Sequence, residues 1–103
     1  MEFQWDQNKN NTNIKKHGID FIDAIEMFQH PLLASIDRRK NYDEERWVGI
    51  GILKGIIAVI VYTEDDYNDS IRILSVWKAT KNESEKYKEN FKNWLGTAFY
   101  HDR

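Results

Sequence analysis

Apolar and polar positions alternate with period two from Arg46 to Leu53. Val48, Ile50 and Ile52 fall on one side and Trp47, Gly49, Gly51 and Leu53 on the other. Such spacing over a short run predicts a half-buried strand. Ile56 to Tyr62 is continuously apolar and rich in β-branched residues. It is too short for a buried helix and predicts a central strand. Lys54-Gly55 between them predicts a tight turn, because glycine takes positive φ without steric penalty. Ser70 to Trp77 predicts a third strand, with Ile71, Ile73 and Ser75 set against Arg72, Leu74 and Val76. Short links join the three into an antiparallel meander.

The flanking segments carry helical signals. Phe3 and Trp5, two apart, suit a short edge strand or an extended arm with both rings facing inward. Asp6 then caps a helix from Gln7 to about Lys16, which is polar apart from Ile14. Gly18 ends it as a left-handed C′ residue, with Lys15, Lys16 and His17 at the negative end of the helix dipole. Asp20 caps a second helix whose Phe21, Ala24, Ile25 and Phe28 form a core stripe, and Pro31 stops it. Leu32 to Ile36 predicts another strand, followed by a charged turn from Asp37 to Glu45. An acidic loop runs from Glu64 to Asp69. Thr80-Lys-Asn-Glu83 is a capping box opening a last helix, with Tyr87, Phe91, Trp94 and Leu95 as its stripe and Gly96 as its end. The expected fold is α+β: two N-terminal helices, a central antiparallel sheet meander and a C-terminal helix, in one domain spanning 1–103.

Composition narrows the function classes. Five Phe, five Tyr and four Trp within a 41% apolar chain argue for a folded globule. Fifteen Lys and Arg against seventeen Asp and Glu, a net charge of −2, lack the basic footprint of many nucleic-acid binders. A local basic face remains compatible with that balance. Without cysteine there is no disulfide framework, thiolate nucleophile or Cys-based zinc site. No leader-like segment and no apolar run near the ~20 residues of a membrane span is visible, so a cytoplasmic protein without membrane association is expected. His17, His30 and His101 lack ligand spacing, and Gly49-Ile-Gly51 lies in a strand and does not open a helix. Neither a metal nor a cofactor is expected.

The chemistry-bearing candidates are mostly cations. Lys15-Lys16-His17 suits phosphate contact, with His17 able to exchange a proton near neutral pH; dipole complementation at a solvated helix end is the alternative. Arg38-Arg39-Lys40 suits gripping a phosphate backbone, or forms a solvated turn among Asp37, Asp43, Glu44 and Glu45. Arg72 interrupts apolar neighbours mid-strand, where β-propensity gives no reason for a guanidinium. It serves an incoming anion or pairs with a carboxylate across the sheet. Lys78 ends the same strand and is expected near the same edge. Trp77, if exposed, would stack on a base; packing under the last helix is the other reading.

Trp5-Asp6, Asn8-Lys9, the run from Asn13 through Lys15-Lys16-His17-Gly18 to Phe21, and Ala24 together resemble the opening of the BrnT toxins. The resemblance continues through Phe28, Pro31, Asp37-Arg38-Arg39, Tyr42, Glu45-Arg46, Ile50-Gly51 and Val61-Tyr62-Thr63. It then takes in Ile71-Arg72-Ile73, Ser75 and Lys78-Ala79-Thr80. It implies a RelE-like fold and the toxin half of a type II toxin–antitoxin pair. The implied activity is metal-independent RNA cleavage that stops translation. The implied partner is a BrnA-like antitoxin, with operator DNA reached only through the antitoxin complex. On this resemblance His17 is assigned proton transfer, Arg72 and Lys78 the phosphate, and Arg46 support; Lys15, Lys16, Arg38 and Arg39 bind RNA. Two positions depart from the family pattern. Glu64-Asp65-Asp66 stands where an arginine usually follows Tyr-Thr, and Ser75-Val76-Trp77 stands where Ser-Ala-Arg is usual. They imply an alternative, a catalytically degenerate binding module that partners an antitoxin in transcriptional regulation.

Overall fold

Five strands form one sheet in the order β1-β5-β4-β3-β2. The structure is a computed structural model describing residues 1–39, 41 and 43–92. The expected positions Lys40, Tyr42, Trp94, Leu95, Gly96 and His101 lie outside the described residues. Strands β2 (Leu33–Ile36), β3 (Trp47–Leu53), β4 (Ile56–Asp65) and β5 (Ser70–Lys78) are antiparallel neighbours. The β3–β4 turn places Lys54 at φ 48° and Gly55 at φ 80°, the two positive values that match hairpin twist.

The antiparallel meander forms as expected, and the short N-terminal strand, for which the sequence carries no direction, adds a parallel edge. β1 (Glu2–Gln4) lies parallel to β5, with Phe3 opposite Ile71, so the sheet is mixed. A three-residue strand carries an alternation but no direction. The long connection through helices and meander permits the parallel pairing. Phe3 and Trp5 do pack inward, against the core on that side.

Two apolar clusters sit on opposite sheet faces. The inner face carries Leu53, Ala58, Ile60, Tyr62, Ile71, Ile73 and Val76, covered by Phe21, Ala24 and Met27. The outer face carries Ile50, Ile52 and Val59, covered by Tyr87 of α3 (Lys81–Asn90) with Trp77 alongside. Strand β3 divides as its alternation predicts. Strand β5 does not. Val61 stands opposite Ser75 and Tyr62 opposite Ile73, leaving Leu74 as a bulged extra residue. Beyond it every side chain switches face. Val76 joins Ile71 and Ile73 inside, while Ser75 and Trp77 join Arg72 outside.

The second helix is also shorter than its spacing predicts. α2 (Phe21–Ala24) passes directly into a 3-10 helix, Ile25–Gln29. A period of three buries Phe21, Ala24 and Met27 completely, leaving Ile25 and Phe28 half-buried. The chain then lays Leu32 over β3. A Cβ on Gly51 would meet Leu32 Cδ1 at 2.8 Å, so the two strand glycines make room for that side chain. No helix among the described residues is long and apolar enough to cross a membrane.

Candidate functional site

Helix α1 (Gln7–His17) supplies the first candidate. Asp6 caps it by accepting from Asn8 N at 2.8 Å, and Gly18 closes it at φ 70°. Its polar sequence has a purpose that periodicity does not reveal. Asn13 is buried, donates to Ile19 O at 2.9 Å and accepts from Val76 N at 3.0 Å. It therefore docks the helix on the β5 edge that β1 leaves uncovered. Asn10, also buried, donates to Asp20 Oδ1 and accepts from Phe21 N, joining α1 to α2. Asn10 holds the Asp20 carboxyl below the usual carboxylate range, with Ile22 N adding to the effect. These bonds fix the last turn beside β5, bringing His17 to 6.3 Å from the Trp77 ring. Exposed Lys15 and Lys16 share that turn.

The β2–β3 connection brings a second cation to the same ring. The Arg39 guanidinium lies 5.7 Å from the Trp77 centroid. Asp37 holds it there, accepting from Arg39 Nε at 2.9 Å, Nη2 at 2.8 Å and the backbone N at 3.1 Å. The Asp37 side chain is 1% exposed, so it is a buried carboxylate paired by a bidentate guanidinium. Trp77 Nε1 donates to Glu83 Oε1 at 3.3 Å, and that oxygen also accepts from Thr80 N within the capping box. Arg38 and Lys86 line the same cleft, about 440 Å³, whose floor includes Leu33, Val48, Ile50 and Trp77.

The remaining predicted cations lie elsewhere. Arg72 stands opposite Thr63 on the outer face, and its Nη2 donates to Glu44 Oε1 and Oε2 at 2.5 and 2.6 Å. Arg46 reaches the same carboxylate at 3.9 Å. A cleft of about 460 Å³ beside Arg72 is edged by Glu44, Glu45, Glu64, Asp65 and Asp66. Asn68 donates to Asp65 through its side-chain amide and backbone N–H, holding that carboxyl below its usual range. Lys78 stands opposite Ala58, an inner-face residue. Cross-strand partners share a face, so Lys78 departs from β5 on the side opposite Arg72 and Trp77. The expectation that Arg72 and Lys78 meet at one edge is corrected by the bulge at Leu74. Each of them turns from its neighbour because the register changes between them.

The structure thus brings together His17, Arg39, Trp77 and Ser75 at one end of β5, with Arg38 and Lys86 at the adjoining cleft. Arg46 and Arg72 meet at the other end. Among the described residues no group of three or more His, Cys, Asp or Glu is placed to hold a metal. Sequence reasoning placed Asp37 and Glu44 only among the acids of a solvated turn and missed that Asp37 holds Arg39, that Glu44 is the partner of Arg72 and that Lys86 lines the cleft. Only the spacing Asp37-x-Arg39 hinted at one of them, since a carboxylate two residues before an arginine suits a turn bond.

A family model described as "Ribonuclease toxin, BrnT, of type II toxin-antitoxin system" matches residues 5–83. The chain belongs to the BrnT toxin family. No curated protein matches it. The BrnT match spans α1, α2, strands β2 to β5 and the capping box of α3, so the Trp77 end and the Arg72 end both fall within it. Membership implies a ribonuclease toxin of the type II class, and hence an antitoxin partner. Lys86 lies beyond the BrnT match.

Proposed function

We propose that this chain is a RelE-like, metal-independent endoribonuclease that halts translation by cleaving RNA. A BrnA-like antitoxin neutralises it, and operator DNA is engaged only by the pair. Residues 1–103 act as one toxin domain. The observation carrying this reading is the cluster at Trp77, where an imidazole and a guanidinium held by a buried carboxylate lie against one ring. In such cleavage the RNA 2′-hydroxyl attacks the adjacent phosphorus, forming the 2′-O–P bond and breaking the bond to the 5′ oxygen. His17 takes the 2′ proton or protonates the leaving oxygen. Arg39, with Arg38, Lys15 and Lys16 nearby, offsets the charge developing on the phosphoryl oxygens.

Arg72 and Arg46, neutralised by Glu44, lie off the Trp77 path and act on RNA only as a distant positive potential once that carboxylate is removed, so Glu44→Gln raises RNA affinity at low salt. Lys78 adds positive potential from the rim without touching the reacting atoms. The test is induced expression without antitoxin. Wild-type protein arrests growth, and His17→Gln and Arg39→Gln relieve the arrest; Lys78→Ala leaves it in place. Arrest that survives both His17→Gln and Arg39→Gln would remove the Trp77 cluster from the mechanism.

The Glu44 contact also favours a second reading. A carboxylate neutralising Arg72, beside Glu64-Asp65-Asp66, suits a degenerate binding module that partners an antitoxin without cleaving RNA. Folded, well-expressed protein that binds the antitoxin and never arrests growth would establish it.

A further inference from the structure

The cleft beside Trp77 has a composition that pure phosphate binding does not explain. Its floor is apolar: Leu33, Val48 and Trp77 are half-buried, and Ile50 is 7% exposed. Both carboxylates in its lining are engaged, Asp37 by Arg39 and Glu83 by Thr80 N and Trp77 Nε1. Exposed charge around it comes from Arg38, Arg39 and Lys86. An apolar floor under a cationic mouth, in about 440 Å³, falls in the size range of small-ligand sites, roughly 300–1,000 Å³.

Next to it is a second cleft of about 320 Å³, lined by Lys9, Thr12, Lys16, His17 and Ser75. Trp77 contacts both the His17 ring and the Arg39 guanidinium, linking a proton-transfer group of the second cleft to a cation of the first. We propose that the cleft beside Trp77 is a nucleobase subsite, taking one unpaired base of single-stranded RNA whose backbone passes across to His17. This rests on the ribonuclease reading for its ligand class. The base packs on Trp77, Val48 and Ile50, while Arg38 and Lys86 hold the flanking phosphates. A paired base cannot enter, because pairing and stacking hold it within the duplex, away from the Trp77 ring. Selectivity for single strands follows.

The experiment uses the full chain and a 2′-O-methyl RNA oligonucleotide, which lacks the attacking hydroxyl and is not cleaved. Its single-stranded form is compared with its duplex by fluorescence anisotropy. The single strand binds more tightly to wild-type protein. Trp77→Ala weakens that binding about 5- to 150-fold, the range for losing one base–aromatic stack, whereas Trp77→Phe retains most of it. Ser35→Trp, on the exposed β2 edge within the cleft lining, fills the recess and abolishes the preference without touching the core. Equal affinity for strand and duplex, or Ser35→Trp binding like wild type, would overturn the proposal. Should Trp77→Ala fail to fold, Ser35→Trp decides it. Because no cleavage is read, loss of toxicity with base-dependent binding intact would sink the ribonuclease reading alone.

Discussion

Asn13 shows how one polar side chain positions chemistry it does not perform. It donates to Ile19 O and accepts from Val76 N, tying the end of α1 to β5. Asn13→Ala leaves the buried Val76 N–H and the part-buried Ile19 carbonyl without partners, each worth about 1–3 kcal/mol when fully buried. Denaturant titrations should show a loss of about 2–4 kcal/mol, below the ~6 kcal/mol upper sum because the Ile19 carbonyl is only part-buried. RNA cleavage should fall as well, since the His17 turn loses its tether. A second residue-scale prediction concerns Tyr62. Burial, with Glu64 adding repulsion, pushes its phenol up to about 12. Below about pH 10 both folded and unfolded states hold the proton, so Tyr62 contributes nothing to the pH dependence. Between pH 10 and about 12 the unfolded chain releases the proton and the folded one keeps it, so stability falls as pH rises and then levels. Burial raises Tyr87 in the same direction. Unfolding midpoints followed across that window should fall less steeply for Tyr62→Phe than for wild type.

At the scale of elements, α3 is tied to the proposed site by its own cap. Glu83 accepts both from Thr80 N and from Trp77 Nε1. Thr80→Ala removes only the cap acceptor and should cost about 1 kcal/mol of stability. Glu83→Ala removes the cap's second half and the Trp77 bond together. It should therefore lower RNA affinity as well, a difference that parallel denaturation and binding titrations would resolve. How legible these elements are in the sequence follows from what kind of signal each carries. Asp6, Gly18, Asp20, Lys54-Gly55 and the capping box act on backbone groups a few residues away, and all form as read. The β3 faces are legible because alternation over seven residues has no competing period. The bulge at Leu74 is not, because nothing in Ile71 to Trp77 marks the extra residue; it is defined by the partner strand β4. That single residue moves Trp77 outward beside Arg39. The β1 direction and the Asn13 bond are set by which edge the N-terminal segment meets, a long-range fact that local pattern does not contain.

Across the whole molecule, the net charge of −2 conceals a polarity along the outer face. Lys15, Lys16, His17, Arg38 and Lys86 gather around the Trp77 end; Glu44, Glu45, Glu64 and Asp66 surround Arg72. Arg72 stands opposite Thr63 and Trp77 opposite Val59, four steps apart on β4, about 13 Å at ~3.3 Å per residue. At physiological salt this is about one and a half Debye lengths of ~8 Å, so the acidic end is largely screened from RNA bound at the basic end. At ~0.01 M salt the Debye length reaches ~30 Å and both ends act on the ligand together. Neutralising the acidic end with Glu64→Gln and Asp66→Asn should therefore tighten binding of the uncleavable oligonucleotide at low salt and change it little at ~0.15 M. Lys15→Gln with Lys16→Gln should weaken binding at both, because those charges lie within a Debye length of the phosphates. The contrast locates the RNA path. If it runs past Arg72 instead, the two acids touch the ligand's surroundings directly, and their neutralisation would tighten binding at ~0.15 M as well. A gain confined to low salt places the strand at Trp77 and leaves the acidic end as a remote repulsive field.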